Sequence, residues 1–173
     1  MAVTLDKLTF IMTTGESKIL LVDDSKEDRV LMAQALSYAG LECELEEASD
    51  GEEADVRLER NLNEGKPPRL VILDLILPKR SGLEVMEIWH AKGYTQRTRV
   101  VVLSSVLTEN EISKLREFGA IRIFQKPIDL DEFFVLGERV KELAIKGAED
   151  YAGTLNQNVE PSPGLDSAQS FPP

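Results

Sequence analysis

The segment LVILD (residues 70–74) places a carboxylate, Asp74, directly after four consecutive apolar residues. Similar short runs, apolar apart from Arg122 in the last of them, occur at residues 19–22, 100–103 and 121–124. Runs that are apolar without alternation are typical of strands that are covered on both faces. These four runs therefore predict the strands of a buried sheet.

Residues 42–47 alternate more strongly and predict a strand at the edge of the sheet. Four acidic side chains in this stretch are expected to be solvated: Glu42, Glu44, Glu46 and Glu47. A helix is predicted after each strand, because Ser25 with Asp28 forms a capping-box signature and Asp50 and Asp129 can cap later helices. Strands that alternate with helices predict right-handed crossovers and a parallel sheet.

The composition indicates one domain with additional length at both ends. The chain has 173 residues, 42% of them hydrophobic, and we expect an N-terminal extension (1–16), a folded domain (17–145) and a disordered tail (146–173). The tail is rich in Gly, Pro, Ser, Asn and Gln and is too short to form a further domain with its own core.

The charge and the cysteine content restrict the possible partners and compartments. A net charge of −11 opposes nucleic-acid binding, which depends on neutralising phosphates with Lys and Arg. The single cysteine, Cys43, predicts a reducing compartment, here the cytoplasm. The longest apolar runs are too short to cross a membrane, so no membrane insertion is expected.

Polar side chains follow four of the five predicted strands. Asp23 and Asp24 follow the first strand, Asp74 the third, Ser104 the fourth and Lys126 the fifth. In a parallel sheet these strand ends lie at one edge, where such folds bind ligands. Carboxylates supply hard oxygen ligands for Mg²⁺ or Mn²⁺, and a carboxylate can also attack phosphorus. A hydroxyl and an ammonium can balance phosphoryl charge, so the set indicates phosphoryl transfer.

Four motifs in this order resemble the receiver domains of two-component response regulators: ILLVDDS (19–25), LVILDLILPKRSGLEVM (70–86), VVVLSS (100–105) and FQKPID (124–129). The resemblance covers residues 18–145, and segments 64–69 and 126–134 are most similar to single-domain receivers that partner phytochrome-like kinases. It implies a flavodoxin-like doubly wound (βα)5 fold with a five-stranded parallel sheet in the order 2-1-3-4-5.

The resemblance also implies a role for each site residue. Asp74 would accept a phosphoryl group, which Ser104 and Lys126 would contact. The implied ligands of Mg²⁺ or Mn²⁺ are three carboxylates and one backbone carbonyl: Asp23, Asp24, Asp74 and Ile76. The Lys126–Pro127 peptide is often cis in this family. The family places an aromatic residue three positions before the lysine, but Ile123 stands there and Phe124 follows it.

As a receiver, the chain would be a phospho-acceptor rather than an enzyme. The phosphoryl donor would be a sensor histidine kinase or a phosphotransfer protein. Output would be phosphorylation-dependent binding of a protein target through the surface 109–143, which could also form a homodimer. The switch would act either through Phe124 in place of the missing aromatic residue or through the backbone and Ser104 alone.

Three other interpretations are weaker. An aspartyl phosphatase usually needs a second acid two residues after the nucleophile, where this chain has Ile76. A flavodoxin-like cofactor binder needs a phosphate-binding loop after the first strand, where Asp23 and Asp24 would repel phosphate. A non-phosphorylated docking module is the main alternative to the phosphorylated switch.

Overall fold

The computed structural model describes residues 18–145 and the backbone of Val159–Glu160. The predicted extension 1–16 lies outside the described residues. So does the predicted disordered tail 146–173, apart from those two residues. Within the described part of the chain, no helix has both the length and the apolar character that a membrane crossing requires.

The helices and strands alternate as the sequence predicts. The strands are β1 (Lys18–Val22), β2 (Glu44–Ala48), β3 (Leu70–Asp74), β4 (Arg99–Ser104), β5 (Ala120–Gln125) and β6 (Val159–Glu160). The helices are α1 (Lys26–Tyr38), α2 (Gly51–Asn63), α3 (Gly82–Ala91), α4 (Glu109–Glu117) and α5 (Leu130–Ile145).

The strands form one parallel sheet in the order β2-β1-β3-β4-β5-β6. The predicted order 2-1-3-4-5 is confirmed, and 42–47 is confirmed as the edge strand. The five predicted strands are all present, and a further two-residue strand lies beside them, since Val159 and Glu160 pair with Ile123 and Phe124 of β5. A pair of residues cannot be distinguished from a loop by its hydrophobic pattern, so the sequence gives no sign of β6.

Helices cover both faces of the sheet, which explains why the central strands are apolar throughout. Alternate residues of β3 point to opposite faces: Val71 and Leu73 pack with α2 and α3, whereas Leu70 and Ile72 pack with α1 and α5. All five residues of β3 are buried. Each fully buried aliphatic side chain contributes roughly 1.5–3 kcal/mol to folding, so the central strands hold the sheet edge in place.

Glu46 of β2 corrects the expectation of a fully solvated acidic edge. Its side chain is buried, and its carboxylate accepts hydrogen bonds from Asn61 Nδ2 at 2.8 Å, from Arg57 at 3.2 Å and from Arg60. Lys18 Nζ lies 3.4 Å away. Burial alone would raise the pKa of Glu46, but these partners hold it below its ordinary value of 4.5. A buried carboxylate is tolerated here because several groups compensate its charge.

We expect Glu46→Gln to lower the free energy of unfolding by about 2 kcal/mol at pH 7, because hydrogen bonds to a charged acceptor are lost. The matched control is Glu44→Gln on the same strand, whose side chain is exposed and should matter little. Because the pKa of Glu46 is lower in the folded protein than its ordinary value of 4.5, the ionised carboxylate stabilises the fold above pH 4.5. This stabilisation is lost as the pH falls through the pKa of the folded state. The difference between wild type and Glu46→Gln in urea unfolding should therefore shrink below pH 4.5; equal losses for the two variants would contradict this assignment.

Candidate functional site

Asp74 ends β3 at the carboxyl edge of the sheet, and its side chain is almost fully buried, with 3% of the residue exposed. The backbone N–H of Ile76 donates to Asp74 Oδ1 at 2.9 Å. The N–H of Leu75 donates to the Leu103 carbonyl of β4 at 3.2 Å, which continues the sheet past the strand end. One carboxylate oxygen is thus fixed by the backbone, while Oδ2 faces the neighbouring strand ends.

Asp23 and Asp24 follow β1, the neighbour of β3 in the sheet. Asp23 is buried, and its Oδ1 accepts a hydrogen bond from the Ser25 N–H at 2.9 Å, whereas Asp24 is exposed. One carboxylate oxygen from each of Asp23, Asp24 and Asp74 lies within 4.8 Å of the other two. The structure therefore brings together the three carboxylates that the sequence placed at one edge.

Lys126 pairs with two of these carboxylates and with a further one, Asp28. Its Nζ is 2.6 Å from Asp74 Oδ2, 2.8 Å from Asp23 Oδ2 and 2.8 Å from Asp28 Oδ2. An ammonium group has three N–H donors, so each donor has one carboxylate partner. Its backbone N–H donates to the Ser104 carbonyl at 2.9 Å, which ties the position of the lysine to β4.

Ser104 ends β4 and is buried beside the cluster. Its hydroxyl donates to the Val106 carbonyl at 2.8 Å, within the loop that leads to α4. Two apolar side chains border this part of the edge and are open to solvent: Ile76 is 62% exposed and Val106 is 74% exposed. Ser104 and these two aliphatic side chains therefore lie at the same carboxyl edge of the sheet as Asp74.

The cluster contains more carboxylates than ammonium groups, so its negative charge is not fully compensated. Burial alone would lower the pKa of Lys126, but hydrogen bonds to Asp23, Asp28 and Asp74 raise it above its ordinary value. Burial raises the pKa of Asp23, and its hydrogen bond to Lys126 offsets only part of this effect. The two directions are consistent because one ammonium is shared among three carboxylates, so buried negative charge is left over.

The leftover negative charge and the donor set fit a divalent cation. Asp23, Asp24 and Asp74 supply carboxylate oxygens close enough together to share one ion. Oxygen ligands of this kind suit Mg²⁺ and Mn²⁺. Ile76 lies next to the acceptor carboxylate through its N–H, and its carbonyl as a further metal ligand stays a prediction.

The sequence missed two groups at this site. The sequence predicts Asp28 only as part of the cap of α1, and its N–H does donate to Ser25 Oγ at 3.2 Å. Its carboxylate, however, also pairs with Lys126. Arg29 donates to the Asp23 carbonyl at 2.6 Å. The available signal for Asp28 is its place in the first turn of α1, which begins directly after the strand end that carries Asp23 and Asp24.

The structure corrects one expectation about the Lys126–Pro127 peptide and decides between two expectations about Phe124. The expectation of a cis Lys126–Pro127 peptide is wrong, because no cis peptide bond occurs among the described residues and the trans form is the less costly isomer. Phe124 does not stand in for the missing aromatic residue: it packs on the face of α1 and α5, whereas Ile123 packs on the face of α2, α3 and α4. Neighbouring residues of a strand point to opposite faces, so Phe124 cannot reach the position that Ile123 occupies.

A doubly wound parallel sheet with an acidic cluster and a lysine at its carboxyl edge defines the class of this protein as a flavodoxin-like α/β domain with a candidate cation site. The family model of the response regulator receiver domain matches residues 19–136, and the chain belongs to this family of two-component signalling domains.

Two relatives illustrate the similarity, one of them through both its sequence and its solved structure. Response regulator Rcp1 from Synechocystis sp. is 31% identical over 125 residues, which cover 71% of this chain and 85% of Rcp1. The structure of the phosphorylated cyanobacterial phytochrome response regulator RcpA superposes with a TM-score of 0.68 at 29% identity, covering 76% of this chain and 96% of RcpA. The Mn²⁺-bound form of Rcp1 gives a TM-score of 0.65 at 28% identity, covering 75% and 95%.

The close approach of α3 to β3 gives a test of how the Asp74 carboxylate is placed. A Cβ atom on Gly82 would lie 2.3 Å from the Asp74 carbonyl oxygen and 2.7 Å from Leu75 Cα. Since both neighbours are backbone atoms, we expect Gly82→Ala to lower the free energy of unfolding by about 2 kcal/mol. Thermal or urea unfolding measures the loss, with the exposed α4 substitution Ser113→Ala as the control; a Gly82→Ala variant as stable as that control would contradict the argument.

Proposed function

We propose that this protein is a phosphorylation switch in which Asp74 accepts a phosphoryl group from a histidine kinase or a phosphotransfer protein. The observation that carries the proposal is the environment of Asp74. A buried carboxylate ends a central strand, 2.6 Å from a lysine ammonium and beside two further carboxylates. Positioning and charge compensation are what phosphoryl transfer requires of a protein.

Asp23, Asp24 and Asp74, with the carbonyl of Ile76, would hold Mg²⁺ or Mn²⁺ in this proposal. The bound ion would supply positive charge that offsets the phosphoryl oxygens. The support from this chain is the clustering of the three carboxylates and the raised pKa of Asp23. The similarity to a Mn²⁺-bound receiver structure adds to it.

The transfer itself is a substitution at phosphorus. A carboxylate oxygen of Asp74 forms the new O–P bond while the P–N bond of the donor phosphohistidine breaks, and the imidazole leaves with the bonding electrons. Lys126 would move from Asp74 Oδ2 to a phosphoryl oxygen, and Ser104 would donate its hydroxyl to another. The acyl phosphate is the product, so the domain acts as an acceptor rather than as a classical enzyme.

The output would follow from the loss of the hydrogen bond between Ser104 and Val106. The Ser104 hydroxyl holds the Val106 carbonyl at 2.8 Å, and donation to a phosphoryl oxygen would release that loop and the start of α4. The surface 109–143 would then bind a target protein or a second copy of the chain. Phe124 lies on the opposite face of the sheet from Ile123. The signal would therefore pass through the loop after Ser104 rather than through a rotating aromatic ring.

The kind of response regulator that this chain resembles suggests a class of kinase. RcpA is a cyanobacterial phytochrome response regulator, and a phytochrome-like histidine kinase is therefore the donor that we propose. The free thiol of Cys43 agrees with the cytoplasm as the proposed location. The net charge of −11 favours a protein target over nucleic acid.

The first test is the intact mass of the protein after incubation with acetyl phosphate, with and without MgCl₂. We expect the wild type to gain one phosphoryl group only when Mg²⁺ is present, and Asp74→Asn to gain none. A wild type that binds Mg²⁺ in calorimetry yet gains no mass with acetyl phosphate or with a phosphorylated kinase would favour the non-phosphorylated docking module instead.

The apolar rim predicts a long-lived acyl phosphate. The exposed side chains of Ile76 and Val106 carry no polar atom that could orient an attacking water. We expect Ile76→Asn to shorten the half-life of the phosphorylated protein by at least about threefold, because a carboxamide can orient water. The half-life is measured by mass after removal of the phosphodonor, with Val56→Asn on α2 as an equally exposed control; an unchanged or longer half-life would refute the interpretation.

A further inference from the structure

Asp28 is the unexpected member of the cluster. It lies in the first turn of α1, outside the group of Asp23, Asp24 and Asp74 whose oxygens lie within 4.8 Å of one another. Its Oδ2 is nevertheless 2.8 Å from Lys126 Nζ, the same distance as that of Asp23 Oδ2. The side chain of Lys126 is 11% exposed and that of Asp28 is 29% exposed, so the pair is partly shielded from water.

Lys126 and a divalent cation would draw on the same two carboxylates, Asp23 and Asp74. Lys126 Nζ forms ion pairs with Oδ2 of both Asp23 and Asp74. These residues are two of the three carboxylates that can share an ion. When they turn to a cation, an ammonium without another partner would be left partly buried and unpaired, which is costly. Asp28 can keep that ammonium paired, because it is not needed by the cation.

We propose that Asp28 is a positioning residue that holds Lys126 while Asp23 and Asp74 take up the divalent cation. It thereby raises the affinity of the site for Mg²⁺. This inference rests on the proposed cation site but not on phosphorylation. It assigns Asp28 a role through Lys126, rather than a place among the metal ligands.

A matched pair of substitutions separates this role from the simple loss of a negative charge. Asp28→Asn removes the carboxylate of α1 that pairs with Lys126, whereas Glu27→Gln removes the same charge from the adjacent, exposed position of α1. Isothermal titration calorimetry with MgCl₂ measures the affinity directly. We expect Asp28→Asn to weaken Mg²⁺ binding by about fivefold or more, a size common for contacting residues, and Glu27→Gln to change it by less than about twofold.

A double-mutant cycle tests whether Asp28 acts through Lys126. In a Lys126→Met background there is no ammonium to hold, so the effect of Asp28→Asn on Mg²⁺ affinity should fall to about twofold or less. Lys126→Gln serves the same purpose should the methionine variant not fold, as judged by circular dichroism. An effect of Asp28→Asn that is equally large with and without the lysine would overturn the proposal, as would equal effects of Asp28→Asn and Glu27→Gln.

The outcome is separable from that of the proposed function. A wild type that binds Mg²⁺ but accepts no phosphoryl group would refute phosphorylation at Asp74, while the calorimetric cycle would still decide the role of Asp28. A wild type that binds no Mg²⁺ would overturn the role of Asp28. Asp28→Glu keeps the carboxylate and should restore at least part of the affinity, whereas a change in α1 packing alone would not be rescued in this way.

Discussion

The sharing of one ammonium among several buried carboxylates is the constraint on which this structure depends. Asp23 and Asp74 are each 3% exposed, and carboxylates in such surroundings are stable only when their charge is compensated. Lys126 provides that compensation, and its place is fixed because its backbone N–H pairs with Ser104 of β4. The pairing of β4 with β5 is therefore part of the electrostatics of the site as well as part of the sheet.

Most of the fold follows from the sequence because its signals are physically simple. Central strands such as β3 are buried on both faces, so their apolar runs are unbroken. Asp23, Asp74 and Lys126 lie where a parallel sheet must bring its strand ends together. The strand order was expected from the family resemblance and not from hydrophobic periodicity, which says nothing about which strands are neighbours.

The features that the sequence did not reveal depend on tertiary contacts. Asp28 follows a serine at the spacing of a helix cap, and only the position of β5 relative to α1 gives its carboxylate a second role. Glu46 looked like a solvated residue because its compensating partners on α2 are more than ten residues away. Phe124 differs from Ile123 by one position, yet the alternation of the strand places it on the other side of the sheet.

The two outer strands bear on a different property, the resistance of the sheet to self-association. An unpaired strand edge is a template onto which a second polypeptide can add, and repeated addition leads to aggregates. At one border, β2 carries Glu44 and Glu47 with exposed side chains, so an approaching strand would meet negative charge. At the other border, the described part of β6 is the pair Val159 and Glu160, which covers Ile123 and Phe124 of β5. Among the residues that the structure describes, the sheet is thus bordered by exposed carboxylates on one side and by a short added strand on the other.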